Sequence, residues 1–93
     1  SKKVGIAINP STPLEDLKEF LPHIDSILFM CVNPGFYGAP FIESVLDKII
    51  KFKKAHPHIH TSVDGGVKLS NFEKILLTGV NSICVGSAIF NAE

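Results

Sequence analysis

Four short apolar runs mark the chain: Val4 to Ile8, Ile27 to Val32, Ile59 to Val63 and Ser82 to Val85. Each is unbroken instead of alternating, the pattern of a strand covered on both faces, as in parallel α/β sheets. Helix-start signals lie between them. Thr12-Pro13-Leu14-Glu15 combines a threonine suited to the N-cap, a proline at the first helical position and a glutamate placed for a capping box. Ser70-Asn71-Phe72-Glu73 repeats the capping-box pattern, and Gly79 stands where a helix end takes a left-handed residue. The longest helix is predicted over about Phe41 to Ala55. Its residues Ile42, Val45, Leu46, Ile49, Ile50 and Phe52 recur at helical spacing. Lys48, Lys51, Lys53 and Lys54 read as solvated and crowd its C-terminal half, where the helix dipole favours cations.

The predicted order is β-α-β-α-β-α-β, closed by a short Gly86-Ser87-Ala88-Ile89-Phe90 segment. Right-handed crossovers then give a parallel sheet. Four such strands with helices on one side leave the other face apolar and both edges unpaired, which a soluble monomer tolerates badly. Two arrangements remedy this: helices divided between both faces of a small doubly wound sheet, or half of a closed barrel.

Composition narrows the function classes. A 93-residue chain buries roughly 64% of its unfolded surface, enough for one modest core and one domain over 1–93. Hydrophobic residues make up 45%, and 9 basic residues balance 9 acidic ones. A disordered tail is excluded, and zero net charge argues against nucleic acid or a membrane surface as partner. No apolar run approaches the roughly 18–20 residues of a spanning helix, and Ser1-Lys2-Lys3 leads into a strand instead of a signal segment. A cytoplasmic location is the expectation, with Cys31 and Cys84 as reduced, buried thiols. All nine basic residues are lysine. An anion must therefore be held by backbone N–H groups or lysines, without an arginine fork.

In parallel α/β folds, ligands meet the loops after the C-terminal ends of the strands. Those loops are Asn9-Pro10-Ser11-Thr12, the long Asn33-Pro34-Gly35-Phe36-Tyr37-Gly38-Ala39-Pro40, Asp64-Gly65-Gly66-Val67-Lys68, and Gly86-Ser87 opening a short helix. Glycine recurs where backbone must come close to something. Gly65-Gly66 and Gly86-Ser87, each followed by a helical turn with free N–H groups, match the phosphate-binding arrangement at the last two strands of a (β/α)8 barrel. Asp64 is the one carboxylate placed at a strand's C-terminal end; Asp25 precedes a strand and belongs to the opposite rim. Proton transfer or metal ligation suits it there. His56-Pro57-His58-Ile59-His60 has ligand-like spacing but enters a strand at the remote end, so it reads as a solvated loop. Met30 is a core residue or a pocket-lining one. A nucleotide-binding reading is weak, because the first turn lacks G-x-G-x-x-G.

Taken together, Leu28 to Phe36, Phe41-Ile42 with Lys48-Ile49, Val63-Asp64-Gly65-Gly66-Val67 and Val85-Gly86-Ser87-Ala88-Ile89-Phe90 resemble the ribulose-phosphate 3-epimerase family. Gly5 to Pro10 with Thr12 resembles that family's fifth strand and its turn. The resemblance covers nearly the whole chain but only the family's C-terminal half, and implies strands five to eight of a (β/α)8 TIM barrel of ribulose-phosphate-binding type.

It also implies an isomerase of the pentose phosphate pathway. Two aspartates on opposite faces of a ketose phosphate move a proton at C3 through an enediolate, and a divalent metal (Zn, Fe, Mn or Co) stabilises the charge. Asp64 matches the aspartate that is both acid/base and metal ligand, and Met30 a methionine lining the enediolate. Gly35, Gly38, Gly65, Gly66, Gly86 and Ser87 match substrate- and phosphate-contacting positions. The second aspartate and the other metal ligands belong to the missing N-terminal half. That half is thus an expected partner, together with a sugar-phosphate substrate and further copies in a homo-oligomer, and the 93 residues alone are expected to be inactive. The family's Gly-Phe-Gly-Gly-Gln stands here as Gly35-Phe36-Tyr37-Gly38-Ala39. This keeps D-allulose-6-phosphate 3-epimerase as an alternative, with an inert, phosphate-binding or self-associating half-barrel as a reading of another class.

Overall fold

The apolar runs become strands β1 (Gly5–Ile8), β2 (Ser26–Met30), β3 (His60–Asp64) and β4 (Ser82–Val85) in the computed structural model, which describes residues 3–33, 40–86 and 88–91. They lie side by side in chain order, and each neighbouring pair among these four is parallel. Parallel neighbours need crossovers. Between β2 and β3 the crossover is helix α1 (Ser44–Ala55), and between β3 and β4 it is α2 (Leu69–Leu76). The protein is thus an α/β fold with a predominantly parallel sheet.

One face of that sheet is covered. Ile8, Ile27, Phe29, Val63 and Ile83 join Val45, Ile49 and Phe52 of α1, Ile75 of α2 and Leu17 in one buried cluster. Phe29 and Phe52 meet edge to face at 5.7 Å, a favourable aromatic geometry. The alternate residues, Gly5, Ala7, Ser26, Leu28, Met30, His60, Ser62, Asp64 and Cys84, are exposed or half-buried. Of these, Ala7, Ser26, Leu28, Ser62 and Cys84 help to line an open hollow of about 400 Å³. The helices do not divide between the faces, and the uncovered face mixes small and polar residues with the apolar Ala7, Leu28 and Met30.

Several local expectations are corrected. The first crossover is two 3-10 turns, Leu14–Leu17 and Leu21–His23, instead of an α-helix. Pro22 withholds an N–H there, and Thr12 spends its hydroxyl on the Asn9 N–H (3.3 Å) in place of capping. Helix α1 starts at Ser44, because Ile42 donates its N–H to the Cys31 carbonyl (2.7 Å) and so prolongs the end of β2. Lys48 and Lys53 are not simply solvated. Lys48 reaches the carbonyls of Pro10 and Thr12 (2.5 and 2.7 Å), and Lys53 bonds the Ile59 carbonyl (2.9 Å) and the Asn81 side chain (2.6 Å). Both tie α1 to neighbouring loops.

The largest correction is at the end of the chain. Ala88–Asn91 is no helical turn but a fifth strand, β5, antiparallel to β4. It covers the outer edge of β4, which otherwise presents unpaired backbone groups. Its Phe90 packs edge to face on Phe72 at 5.8 Å.

Candidate active site

The C-terminal ends of β2, β3 and β4 form one rim. Met30 and Asp64, the last residues of β2 and β3, are partners in the parallel ladder. The β3–β4 pairing runs from Ser62–Ser82 to Val63–Ile83 and stops one residue short of Asp64, whose charge still acts on Cys84. Strand periodicity puts Met30, Asp64 and Cys84 at one level of the open face. The Asp64 carbonyl accepts the Cys31 N–H at 2.8 Å, which fixes the end of β3 against the segment leaving β2.

The half-buried Asp64 carboxylate sets the electrostatics of this rim. Burial, and then the Asp64 charge, push the Cys31 thiol up to about 12. The same two causes, in the same order, raise Cys84. Cys31 therefore keeps its proton near neutral pH and supplies no thiolate nucleophile there, and Cys84 is shifted in the same direction. Both are free; Cys31 is buried as expected, whereas Cys84 is only partly so and faces the open side. Asp25 sits at the opposite rim, where its Oδ2 accepts the Val4 N–H at 2.8 Å.

The glycines after β3 serve the chain's own packing. Gly65 and Gly66 take φ values of +98° and +70°, favourable chiefly for glycine. A Cβ on Gly65 would lie 2.9 Å from Val32 Cγ2, and one on Gly66 3.1 Å from Val32 Cγ1 and 3.2 Å from Phe41 Cβ. The close approach anticipated from the sequence is met here by the end of β2. Gly86 differs: at φ +59° its absent Cβ would meet nothing within 4 Å, so its backbone lies bare at the rim. Gly35, Gly38 and Ser87 lie outside the described residues.

Asn71 is a residue the sequence reading missed. Its Oδ1 accepts the Lys68 N–H (2.8 Å) while its Nδ2 donates to the Gly66 carbonyl (3.0 Å), clamping the Asp64-Gly65-Gly66 loop to the start of α2. The signal was present, because Asn71 lies three residues after Lys68. The S-x-x-E pattern points to Ser70 as the cap, with Glu73 as its partner, whereas α2 takes Lys68. The histidines lie elsewhere. His56 packs on Phe52 (5.0 Å), and His60, the first residue of β3, has Nε2 2.8 Å from Ser82 Oγ. Among the described residues no three His, Cys, Asp or Glu side chains gather as a metal site. No helix among them is long and apolar enough to cross a membrane.

Sequence comparison adds to this geometry. The family model described as the ribulose-phosphate 3 epimerase family matches residues 1–90. The chain belongs to the ribulose-phosphate 3 epimerase family. Among its relatives, the ribulose-phosphate 3-epimerase of Buchnera aphidicola is 49% identical over 94 residues, spanning 97% of this chain and 41% of that protein. The Synechocystis ribulose-phosphate 3-epimerase is 47% identical, over 98% of this chain and 41% of its own length. That of Escherichia coli is 41% identical, over 96% and 41%. The chain thus spans about two fifths of the length of these ribulose-phosphate 3-epimerases.

Proposed function

We propose that the chain supplies strands five to eight of a (β/α)8 barrel and that, joined to the remainder, it interconverts D-ribulose 5-phosphate and D-xylulose 5-phosphate. The observation that carries this is the row Met30, Asp64 and Cys84 on an uncovered sheet face, with one half-buried carboxylate at the rim where barrels bind ligand. The relatives' names favour the ribulose phosphate over the allulose phosphate.

In this reading Asp64 takes the proton from C3 of the ketose on one face and returns one in the reverse direction. A carboxylate from the remaining barrel half serves the other face, so that the configuration inverts. Met30 lines the planar intermediate with polarizable, non-acidic surface and leaves no competing proton donor there. The bare backbone at Gly86 accommodates the phosphate, with Gly65 and Gly66 shaping the loop beside it. A divalent metal is part of the proposal as a Lewis acid at the enediolate. The described residues offer it one carboxylate, short of a metal's ligand set, so its other ligands come from outside them and no proton step is assigned through it.

Asp64→Asn in the completed enzyme tests the assignment. Turnover falls by roughly 10²–10⁴-fold, as for loss of a general acid/base. Phosphate affinity changes little. Near-normal turnover removes Asp64 from this role.

A further inference from the structure

The two outer edges of the sheet are not alike. β1 pairs on one side only, with β2, whereas the outer edge of β4 is occupied by β5 over its whole length, Ser82 against Asn91 through Val85 against Ala88. Among the described residues β5 is the one antiparallel strand of the sheet, and all four of its residues are exposed. Its only ring contact among the described residues is Phe90 on Phe72. A short, exposed strand held mainly by its own hairpin opens more readily than the core strands beside it. Closing a parallel barrel needs a parallel neighbour on both outer edges, because closure alone removes edges. β4 has one outer edge and cannot hold two strands on it.

We propose that β5 is a displaceable edge guard: it shields β4 in the open sheet and leaves when β4 takes its parallel partner from the rest of the barrel. This rests on the half-barrel reading above and adds to it which edge is the docking edge and what must move. Displacement also frees Ala88–Asn91 from β4, close to the rim where the phosphate is placed. The guard role explains why an apolar segment, Ala88-Ile89-Phe90, forms a strand in this chain. That segment is the nearest chain able to satisfy the backbone of β4, and its β-branched and aromatic residues suit a pleated surface.

The register supplies a probe. Val85 and Ala88 pair across a two-residue connection, so the next pair, Cys84 and Ile89, falls at a non-hydrogen-bonded position. There Cα atoms stand about 4.5 Å apart, within disulfide range. Ile89→Cys therefore lets the hairpin be cross-linked to the native Cys84 by diamide, which takes up the two electrons and two protons the thiols release. Cys31 is buried and does not compete.

The experiment compares Ile89→Cys in the 93-residue chain with the same substitution in one continuous polypeptide, in which the unmatched remainder of the Buchnera aphidicola relative precedes this chain. Cross-linking is read by mass spectrometry, and epimerase activity with D-ribulose 5-phosphate is measured in parallel. The expected result is ready cross-linking in the 93-residue chain and loss of cross-linking in the active long chain, with amide exchange of 88–91 differing between the two. Equal cross-linking in a long chain that stays active overturns the displacement and leaves the half-barrel reading standing. A long chain that neither folds compactly nor epimerises overturns the half-barrel reading, and the displacement falls with it. Absence of cross-linking in the 93-residue chain, with its 88–91 amides unprotected, overturns the guard itself.

Discussion

The two faces of the sheet are built from the same strands and differ in every respect that matters. On the covered face, Ile27, Phe29, Val63 and Ile83 are almost wholly removed from water. On the open face their immediate chain neighbours, Ser26, Leu28, Met30, Ser62, Asp64 and Cys84, are only half-buried, and all but Leu28 are small, polar or polarizable. A period of two separates the roles: one face carries stability, and the other leaves space, one carboxylate and few groups that compete for a proton. An unbroken apolar run therefore does not mean equal burial on both sides. In β2 the second face is half-buried and waits for cover.

Substitution at adjacent positions sharpens this contrast most strongly. Phe29→Ala is expected to cost about 3–5 kcal/mol, enough to unfold a chain this small. Leu28→Ala, one residue away on the half-wet face, costs about 1 kcal/mol in the 93-residue chain, because less surface is lost from burial. Urea midpoints measure both. Equal costs break the distinction between the faces.

The rim gives the next contrast. Gly65→Ala forces a Cβ at positive φ to 2.9 Å from Val32 and is expected to cost about 1–3 kcal/mol. Gly86→Ala meets open space and costs about 1 kcal/mol, the conformational part alone. Any larger effect at Gly86 then appears in KM of the completed enzyme and not in the melting temperature.

The two thiols give the smallest effect near neutral pH. The folded Cys31 thiol titrates near about 12 against an ordinary 9.0. Below pH 9 both folded and unfolded chains keep this proton and stability is unaffected. Above it the unfolded chain releases the proton first, so stability falls as pH rises toward 12, by up to about 1.4 kcal/mol per unit. Cys31→Ala removes that part of the slope. At pH 8 a thiol reagent modifies Cys84 on the open face and spares Cys31 until the chain unfolds.

Much of this arrangement was legible in the chain. The four runs marked β1 to β4 to within a residue at most ends, and the position of Asp64 at the end of one of them, beside a glycine pair, singled it out among nine acids. Hydrophobic periodicity could not tell which face stays open, since Leu28 and Met30 are as apolar as Ile27 and Phe29. Nor could it foresee β5, because Ala88-Ile89-Phe90 serves as a helical turn or a strand according to whether the edge beside it is free. The clamp at Asn71 was hidden by a cap register displaced by two residues. The lysine contacts of α1 depend on tertiary placement, which a helical-face reading cannot supply.

The central claim concerns proton traffic at position 64, and exchange of the C3 hydrogen with deuterated water reports it directly. In the completed enzyme with Asp64 intact, deuterium enters C3 starting from either ketose phosphate. With Asp64→Asn, incorporation is lost from at least one of the two starting sugars while the fold is retained. Incorporation from both at the undiminished rate would contradict the account.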